Sequence, residues 1–186
     1  MKHPLFTFIT SNTEKIATAH MYLDPLGVQF EAQGLDLVEP QSHSIEEISR
    51  YKAQHAFDVL GKPVVVTDHG WFITALHGFP GAFMKYMNEW FTPQDFLNLI
   101  SSYQDRTITK REVICYTDGK ETKCFTQDFK GVVLDEPKGG GTSAMQIVSL
   151  SQSGKSVGEC IDAGIDPTDG QHTLWRDLSE WLRHAK

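Results

Sequence analysis

No stretch of this 186-residue sequence approaches the roughly 20 consecutive apolar residues that a membrane-spanning helix requires. Positive charge is also scarce, with 17 Lys and Arg against 24 Asp and Glu and a formal net charge of −7. That sign argues against a general binder of polynucleotides or of acidic membranes, since both attract protein through an excess of cations. Cysteine is limited to Cys115, Cys124 and Cys160. Their number is odd and no CxxC spacing occurs, which indicates neither a zinc site nor a disulfide framework and points to a reducing compartment. The eight histidines form no HxxxH or HExxH pattern, so zinc hydrolase chemistry is poorly supported. Gly139-Gly140-Gly141 has no following Lys-Ser/Thr and is no P-loop, and no GxSxG elbow is present. The opening Met1-Lys2-His3-Pro4 carries no apolar signal region, so a cytoplasmic location is expected.

What is present is an ordinary globular composition, 40% apolar and 22% charged, in a length that suits one domain over 1–186. Residues 5–10 alternate as a strand, and Ser11-Asn12 then caps a helix that ends near Pro25 and Gly27. Residues 28–33 read as a second short strand. Ser44 followed by Glu47 is a capping box, starting a helix that runs to about residue 60 and stops at Gly61 and Pro63. Residues 63–67 form a nearly continuous apolar strand of the kind buried on both faces, with Asp68-His69-Gly70 as a turn at its carboxyl end. Two helices are expected over 82–91 and 93–102, the second capped by Thr92 with Pro93 in first position. Residues 106–134 change to long β segments turning at Asp118-Gly119 and read as a lobe, the other lobe being 1–105 with 135–186. Gly139–Gly141 reads as a flexible loop, 144–150 as a strand, and 173–183 as an amphipathic helix with Leu174, Leu178, Trp181 and Leu182 on one stripe.

Three groups of side chains offer chemistry. Thr10-Ser11-Asn12-Thr13-Glu14-Lys15 places small polar side chains and a lysine where a strand gives way to a helix. Amides at a helix N-terminus plus an ammonium suit a phosphate, although the same segment also serves as a plain N-cap. On the helix after Ser44, steps of 100° bring Ile45, Ile48, Lys52, Ala56 and Leu60 into one arc, so Lys52 lies in the middle of the apolar face. A charge there needs an anionic partner or a wet cleft, which a ligand phosphate would supply, unless its stem carries the ammonium past the core edge. Asp68 lies where open α/β sheets collect ligands and is a candidate metal ligand or general base. Glu39, with Asp36 three residues before it, offers further oxygen ligands to a hard cation such as Mg2+.

In order and spacing these segments resemble the Ham1/ITPase family. The resemblance rests on Phe8-Ile9-Thr10-Ser11-Asn12-Thr13-Glu14-Lys15, similar to the family's T-G-N-x-x-K opening, on Glu39, and on residues 48–56 with Lys52. It continues through Pro63-Val64-Val65-Val66-Thr67-Asp68-His69-Gly70 to Ala75-Leu76-His77-Gly78-Phe79-Pro80-Gly81, covering roughly the first half of the chain. It implies an α/β fold: an elongated mixed β-sheet with flanking helices, and two lobes around a central nucleotide cleft. It further implies a homodimer that hydrolyses nucleoside triphosphates, non-canonical purine ones above all, to the monophosphate and pyrophosphate with Mg2+.

By position, Thr10, Ser11, Asn12 and Lys15 would hold the triphosphate, Lys52 would neutralise it and Glu39 would bind the metal. Asp68 would be metal ligand or base for the attacking water, and His69 stands where the family has a small hydroxyl residue touching substrate. The second half departs from the pattern. The family's F-G-[YW]-D-P is replaced by Gly140-Gly141-Thr142-Ser143-Ala144, only His172 remains of K-N-x-x-S-H-R, and Thr67 replaces an acid found in many members. The expectation is a hydrolase with altered or relaxed base specificity. The alternatives are a catalytically weak nucleotide-binding or regulatory protein on the same fold, and a pyrophosphatase of another phosphorylated metabolite.

Overall fold

Buried Phe6 and Phe8 mark the first strand, β1 (Phe6–Ile9), in a computed structural model that describes residues 5–184. Asn12 caps α1 (Thr13–Leu23), its side-chain oxygen accepting from the N–H groups of Glu14 and Lys15 at 2.8 and 3.1 Å. One 3₁₀ turn, Asp24–Leu26, leads to β2 (Phe30–Gln33), which pairs parallel with β1 so that Phe6 faces Phe30. Ser44 caps α2 (Ile45–Leu60) by accepting from Glu47 N–H at 3.2 Å. The Glu47 carboxylate accepts from Ser42 Oγ at 2.7 Å.

Strand β3 (Val64–Ile73) lies parallel to β1, with Phe8 opposite Val65. It does not end at Thr67. Asp68-His69-Gly70 is strand and not turn, because the period-2 burial resumes beyond it at Trp71 and Ile73 and keeps the backbone extended. Asp68 is therefore a mid-strand residue. The end of β3 pairs antiparallel with β4 (Pro80–Gly81), and α3 (Met84–Trp90) and α4 (Pro93–Leu99) follow, α4 starting from a full Thr92/Asp95 capping box.

Strands β5 (Thr107–Thr117) and β6 (Thr122–Val133) form the expected hairpin, closed where Asp118 N–H donates to the Glu121 carbonyl at 3.3 Å. Residues 144–150 are mostly helical, as α5 (Ser143–Ile147) and the two-residue β7 (Val148–Ser149). A short apolar run does not distinguish strand from buried helix by periodicity, and here Ala144 and Ile147 are buried at helical spacing. Helix α6 (Val157–Asp162) was not expected, although its Ser156/Glu159 capping box stands in the sequence. Helix α7 (Leu174–His184) completes the fold. The strands form one sheet in the order β2-β1-β3-β5-β6-β7, with β4 beside β3. No helix among the described residues is long and apolar enough to cross a membrane.

Compact packing divides the chain into two units. The first runs to Asp68 and takes in Glu112–Gln127 and the chain from Thr173. Its core includes Phe8, Leu23, Val65, Ile114 and Leu178, with Trp175 edge-on to Phe8 at 5.2 Å. The second comprises His69–Arg111 and Asp128–His172, around Trp71, Ile73, Phe96, Ile108, Phe129 and Ile147. The hairpin is thus no lobe of its own, as 106–134 suggested. Its strands of 11 and 12 residues reach roughly 35–40 Å at 3.4 Å per residue, long enough to contribute to both cores.

The cysteine reading is corrected as well. Cys115 on β5 and Cys124 on β6 are joined by a disulfide, with Cα atoms 4.1 Å apart, and Cys160 is a buried thiol. The two half-cystines stand equidistant from the hairpin turn, a cross-strand register that spacing of nine residues alone does not reveal. The argument for a reducing compartment loses its basis in cysteine spacing.

Nor is the triple-glycine segment loose. Gly140 N–H donates to the Asp162 carboxylate at 2.8 Å, and Ser156 Oγ donates to the Lys138 carbonyl at 2.7 Å. Gly139 has φ 71°, and a Cβ there would stand 2.3 Å from the backbone nitrogen of Glu159. The backbone lies against the first turn of α6 because no side chain intervenes. Gly27 has a similar φ of 68° with nothing within 4 Å of its Cβ position. Gly27→Ala is expected to lower the unfolding free energy by about 1–2 kcal/mol, and Gly139→Ala by about 1–3 kcal/mol more for the overlap. Urea unfolding measures both, and equal losses would show that the close approach to α6 has no energetic weight.

Candidate active site

The strand–helix junction is a polar turn. Thr10 Oγ1 accepts from Asn12 N–H at 3.1 Å, and the Asn12 oxygen in turn caps α1. Ser11 and Asn12 are exposed there. Lys15, in the first turn of α1, sends its ammonium across to β3, where it donates to the Thr67 carbonyl at 3.0 Å. Burial pushes this ammonium below the usual lysine range. The Asp68 carboxylate opposes that shift, Lys52 adds to it, and Glu112 and Glu39 oppose it more weakly.

Lys52 is the centre of the arrangement. From the apolar face of α2 its Nζ donates to Asp68 Oδ1 at 2.7 Å and to Glu39 Oε1 at 2.9 Å. The Lys52 and Asp68 side chains are 14% and 16% exposed, against 46% for Glu39. Of the two readings of Lys52, the paired one holds and the ammonium does not escape to bulk water. Burial by itself would lower its pKa, but the charge of the Asp68 carboxylate, with the hydrogen bonds that Asp68 and Glu39 accept from it, holds it above the usual range. Asp68 Oδ2 accepts from the Oγ of Ser49, a fully buried hydroxyl, at 3.0 Å. Sequence reasoning missed Ser49, although a polar residue one turn before Lys52 on the same helix face is a legible signal. It also missed Glu112, a strand residue whose charge acts on Lys15.

Two carboxylates that meet at one ammonium fit a hard cation whose remaining shell comes from substrate phosphates and water, the usual mode for Mg2+. Among the described residues no three His, Cys, Asp or Glu side chains converge as a protein cage. The structure thus brings Lys15, Glu39, Lys52 and Asp68 together in the first unit. His69, exposed, and His172 belong to the second. There the His172 ring stacks on Phe129, centroids 5.7 Å apart and planes 19° from parallel. Lys110 Nζ lies 5.6 Å from the centre of the Trp71 ring and 5.9 Å from that of Phe129. Ser143 Oγ donates to the Phe91 carbonyl at 2.6 Å, and Ala144 N–H donates to Asn88 Oδ1 at 3.2 Å. A separate depression of about 310 Å³ beside β2, lined by His20, Asp24, Gln29, Phe30 and Glu31, contains none of these residues.

A half-buried ion pair of this kind couples its partners. A double-mutant cycle of Lys52→Met and Asp68→Asn is expected to give a coupling energy of about 1–3 kcal/mol in denaturant unfolding. Because the Lys52 pKa is raised on folding, its contribution is fully present below the unfolded lysine value of about 10.4 and is lost as pH rises through the higher folded value. The cost of Lys52→Met should therefore be constant from about pH 7 to 9 and shrink above about pH 10.5. A cost that instead shrinks toward acid would remove Lys52 as the group responsible.

A model of the Ham1 family matches residues 6–145, well past the first half of the chain. The dITP/XTP pyrophosphatase of Thermococcus kodakarensis is 34% identical over 177 residues, which cover 95% of this chain and 96% of that protein. The inosine triphosphate pyrophosphatase of Tuber melanosporum is 33% identical over 184 residues, 98% of each chain. Among solved structures, a HAM1 protein from Coxiella burnetii superposes with a TM-score of 0.81 at 22% identity, covering 98% of this chain and 100% of its own. The expected fold class is borne out by that likeness, and the chain belongs to the Ham1 family.

Proposed function

We propose that the protein hydrolyses nucleoside triphosphates, non-canonical purine nucleotides among them, to the monophosphate and pyrophosphate. The observation that carries this reading is the Lys52 ammonium held between Asp68 and Glu39, with the Lys15 ammonium on the carbonyl of the residue before Asp68. Two cations among carboxylates form a site that can hold polyphosphate and a metal together. The printed names of the relatives, a dITP/XTP pyrophosphatase and an inosine triphosphate pyrophosphatase, support the same reaction.

In this reading Thr10, Ser11 and Asn12 present hydroxyl and amide groups to the phosphates at the start of α1, and Lys15 and Lys52 neutralise them. Glu39, the more exposed carboxylate, is the proposed ligand of Mg2+, with Asp68 beside it. Bound Mg2+ would supply further charge neutralisation on the phosphate oxygens. Asp68 is held by Ser49 and Lys52 at separate oxygens, and a carboxylate keeps lone pairs beyond two such contacts. It accepts the proton of a water whose oxygen bonds to the α-phosphorus while the bond from phosphorus to the bridging oxygen breaks. Pyrophosphate is the leaving group. His69 and His172 are proposed substrate contacts. We also propose a homodimer, for which the exposed Trp90 and Tyr86, one helical turn apart on α3 with ring centroids 5.8 Å apart, offer an apolar surface.

One observation favours the second reading, a nucleotide-binding regulator: Ser143, in the position of the family's base-contacting acid, has its hydroxyl engaged by the Phe91 carbonyl. Pyrophosphate release from a panel of inosine, xanthosine and standard triphosphates, with and without Mg2+, separates the two. Metal-dependent release supports the hydrolase, whereas binding without release supports the regulator. Asp68→Asn is expected to lower kcat by about 10²–10⁴-fold while circular dichroism still reports folded protein. Undiminished turnover in that variant would remove Asp68 from the mechanism.

A further inference from the structure

The Asp68 carboxylate is gripped by two side chains of one helix. Ser49 and Lys52 stand three residues apart on α2 and so share a face. Ser49 Oγ donates to Asp68 Oδ2 at 3.0 Å, and Lys52 Nζ donates to Oδ1 at 2.7 Å. The ammonium alone would leave the carboxylate free to turn. The terminal torsion of an aspartate is broad, so a group anchored at one oxygen still rotates about its last bond. A second donor at the other oxygen sets the plane of the carboxylate as well as its place.

The Ser49 hydroxyl does not need Asp68 for its own sake. A hydroxyl on a helix can donate to the carbonyl four residues earlier, as Thr18 does to Glu14 at 2.9 Å on α1. Nor does burial oblige it to find a distant partner in this fold. Ser179, equally buried on α7, has a hydroxyl with no hydrogen-bond partner among the described residues. With both alternatives open, Ser49 is turned to the carboxylate that the hydrolase reading makes the base. Ser49, Lys52, Asp68 and Ser179 all belong to the first unit.

We propose that Ser49 is a positioning residue for the hydrolysis. Its hydroxyl, together with the Lys52 ammonium, fixes the plane of the Asp68 carboxylate so that a lone pair stays aimed at the attacking water. Ser49 is fully buried and acts through Asp68, not on the substrate. The effect belongs to the chemical step, since misplacing a reacting group by about 1 Å can cost about 10²-fold in rate. This inference rests on the hydrolase reading given above.

The test compares Ser49→Ala, Ser49→Thr and Ser179→Ala in the full chain, together with Asp68→Asn and the Ser49→Ala/Asp68→Asn double variant. Measured are kcat and KM for the triphosphate that the wild type hydrolyses best, calorimetric binding of its non-hydrolysable analogue, and circular dichroism for folding. Ser49→Ala is expected to lower kcat about 10-fold, with KM and analogue affinity little changed. Ser49→Thr, which keeps a hydroxyl, should retain most of the activity, and Ser179→Ala all of it. In the Asp68→Asn background Ser49→Ala should cost nothing further, because the group it positions is gone. An unchanged kcat in Ser49→Ala, a loss carried by KM and analogue binding, or the same loss repeated without Asp68 would overturn the positioning role and leave the hydrolase reading intact. Should the extra methyl group of Ser49→Thr overfill the site and unfold the protein, the comparison of Ser49→Ala with and without Asp68 still decides. A wild type that releases no pyrophosphate from any triphosphate overturns the hydrolase reading, and the role of Ser49 falls with it.

Discussion

The constraint on which this protein turns is a lysine ammonium in the middle of an apolar helix face. A charge in that position is costly unless it is paired, and Lys52 is paired twice. Meeting that requirement fixes three parts of the chain at once: α2, the middle of β3 and the segment carrying Glu39. The same ammonium brings two carboxylates to one point, an arrangement that like charges would not adopt unaided. Structure and site are therefore one feature. The pairs that satisfy Lys52 in the folded chain are the groups proposed to receive phosphate and metal.

Lys15 adds a second cation under different physics. It is half-buried, donates to a backbone carbonyl, and is held below the usual lysine range by burial of its ammonium. The Asp68, Glu112 and Glu39 carboxylates offset part of that burial cost. Lys52, paired directly with two carboxylates, holds Asp68 in place together with the buried Ser49 hydroxyl.

Much of this was legible in the sequence. The apolar arc of α2 placed Lys52 where it is found, the Asn12 cap and the Ser44 cap lie where their residue types indicated, and the hairpin turns at Asp118-Gly119. What was not legible depends on long-range packing. Gly70 does not end β3, because Trp71 and Ile73 continue its buried pattern. Residues 143–147 are helix, because burial at Ala144 and Ile147, i and i+3, decides what so short a segment cannot. The Cys115–Cys124 link follows from strand register, and the rigidity of Gly139–Gly141 follows from contact with a helix whose capping box went unread.

The central claim is that these side chains direct water to the α-phosphorus of a nucleoside triphosphate. Hydrolysis of inosine triphosphate in water enriched in heavy oxygen, with the products weighed by mass spectrometry, tests it most directly. The expected result is one heavy oxygen in the nucleoside monophosphate and none in the pyrophosphate. Label in the pyrophosphate, or release of orthophosphate with a nucleoside diphosphate, would contradict it.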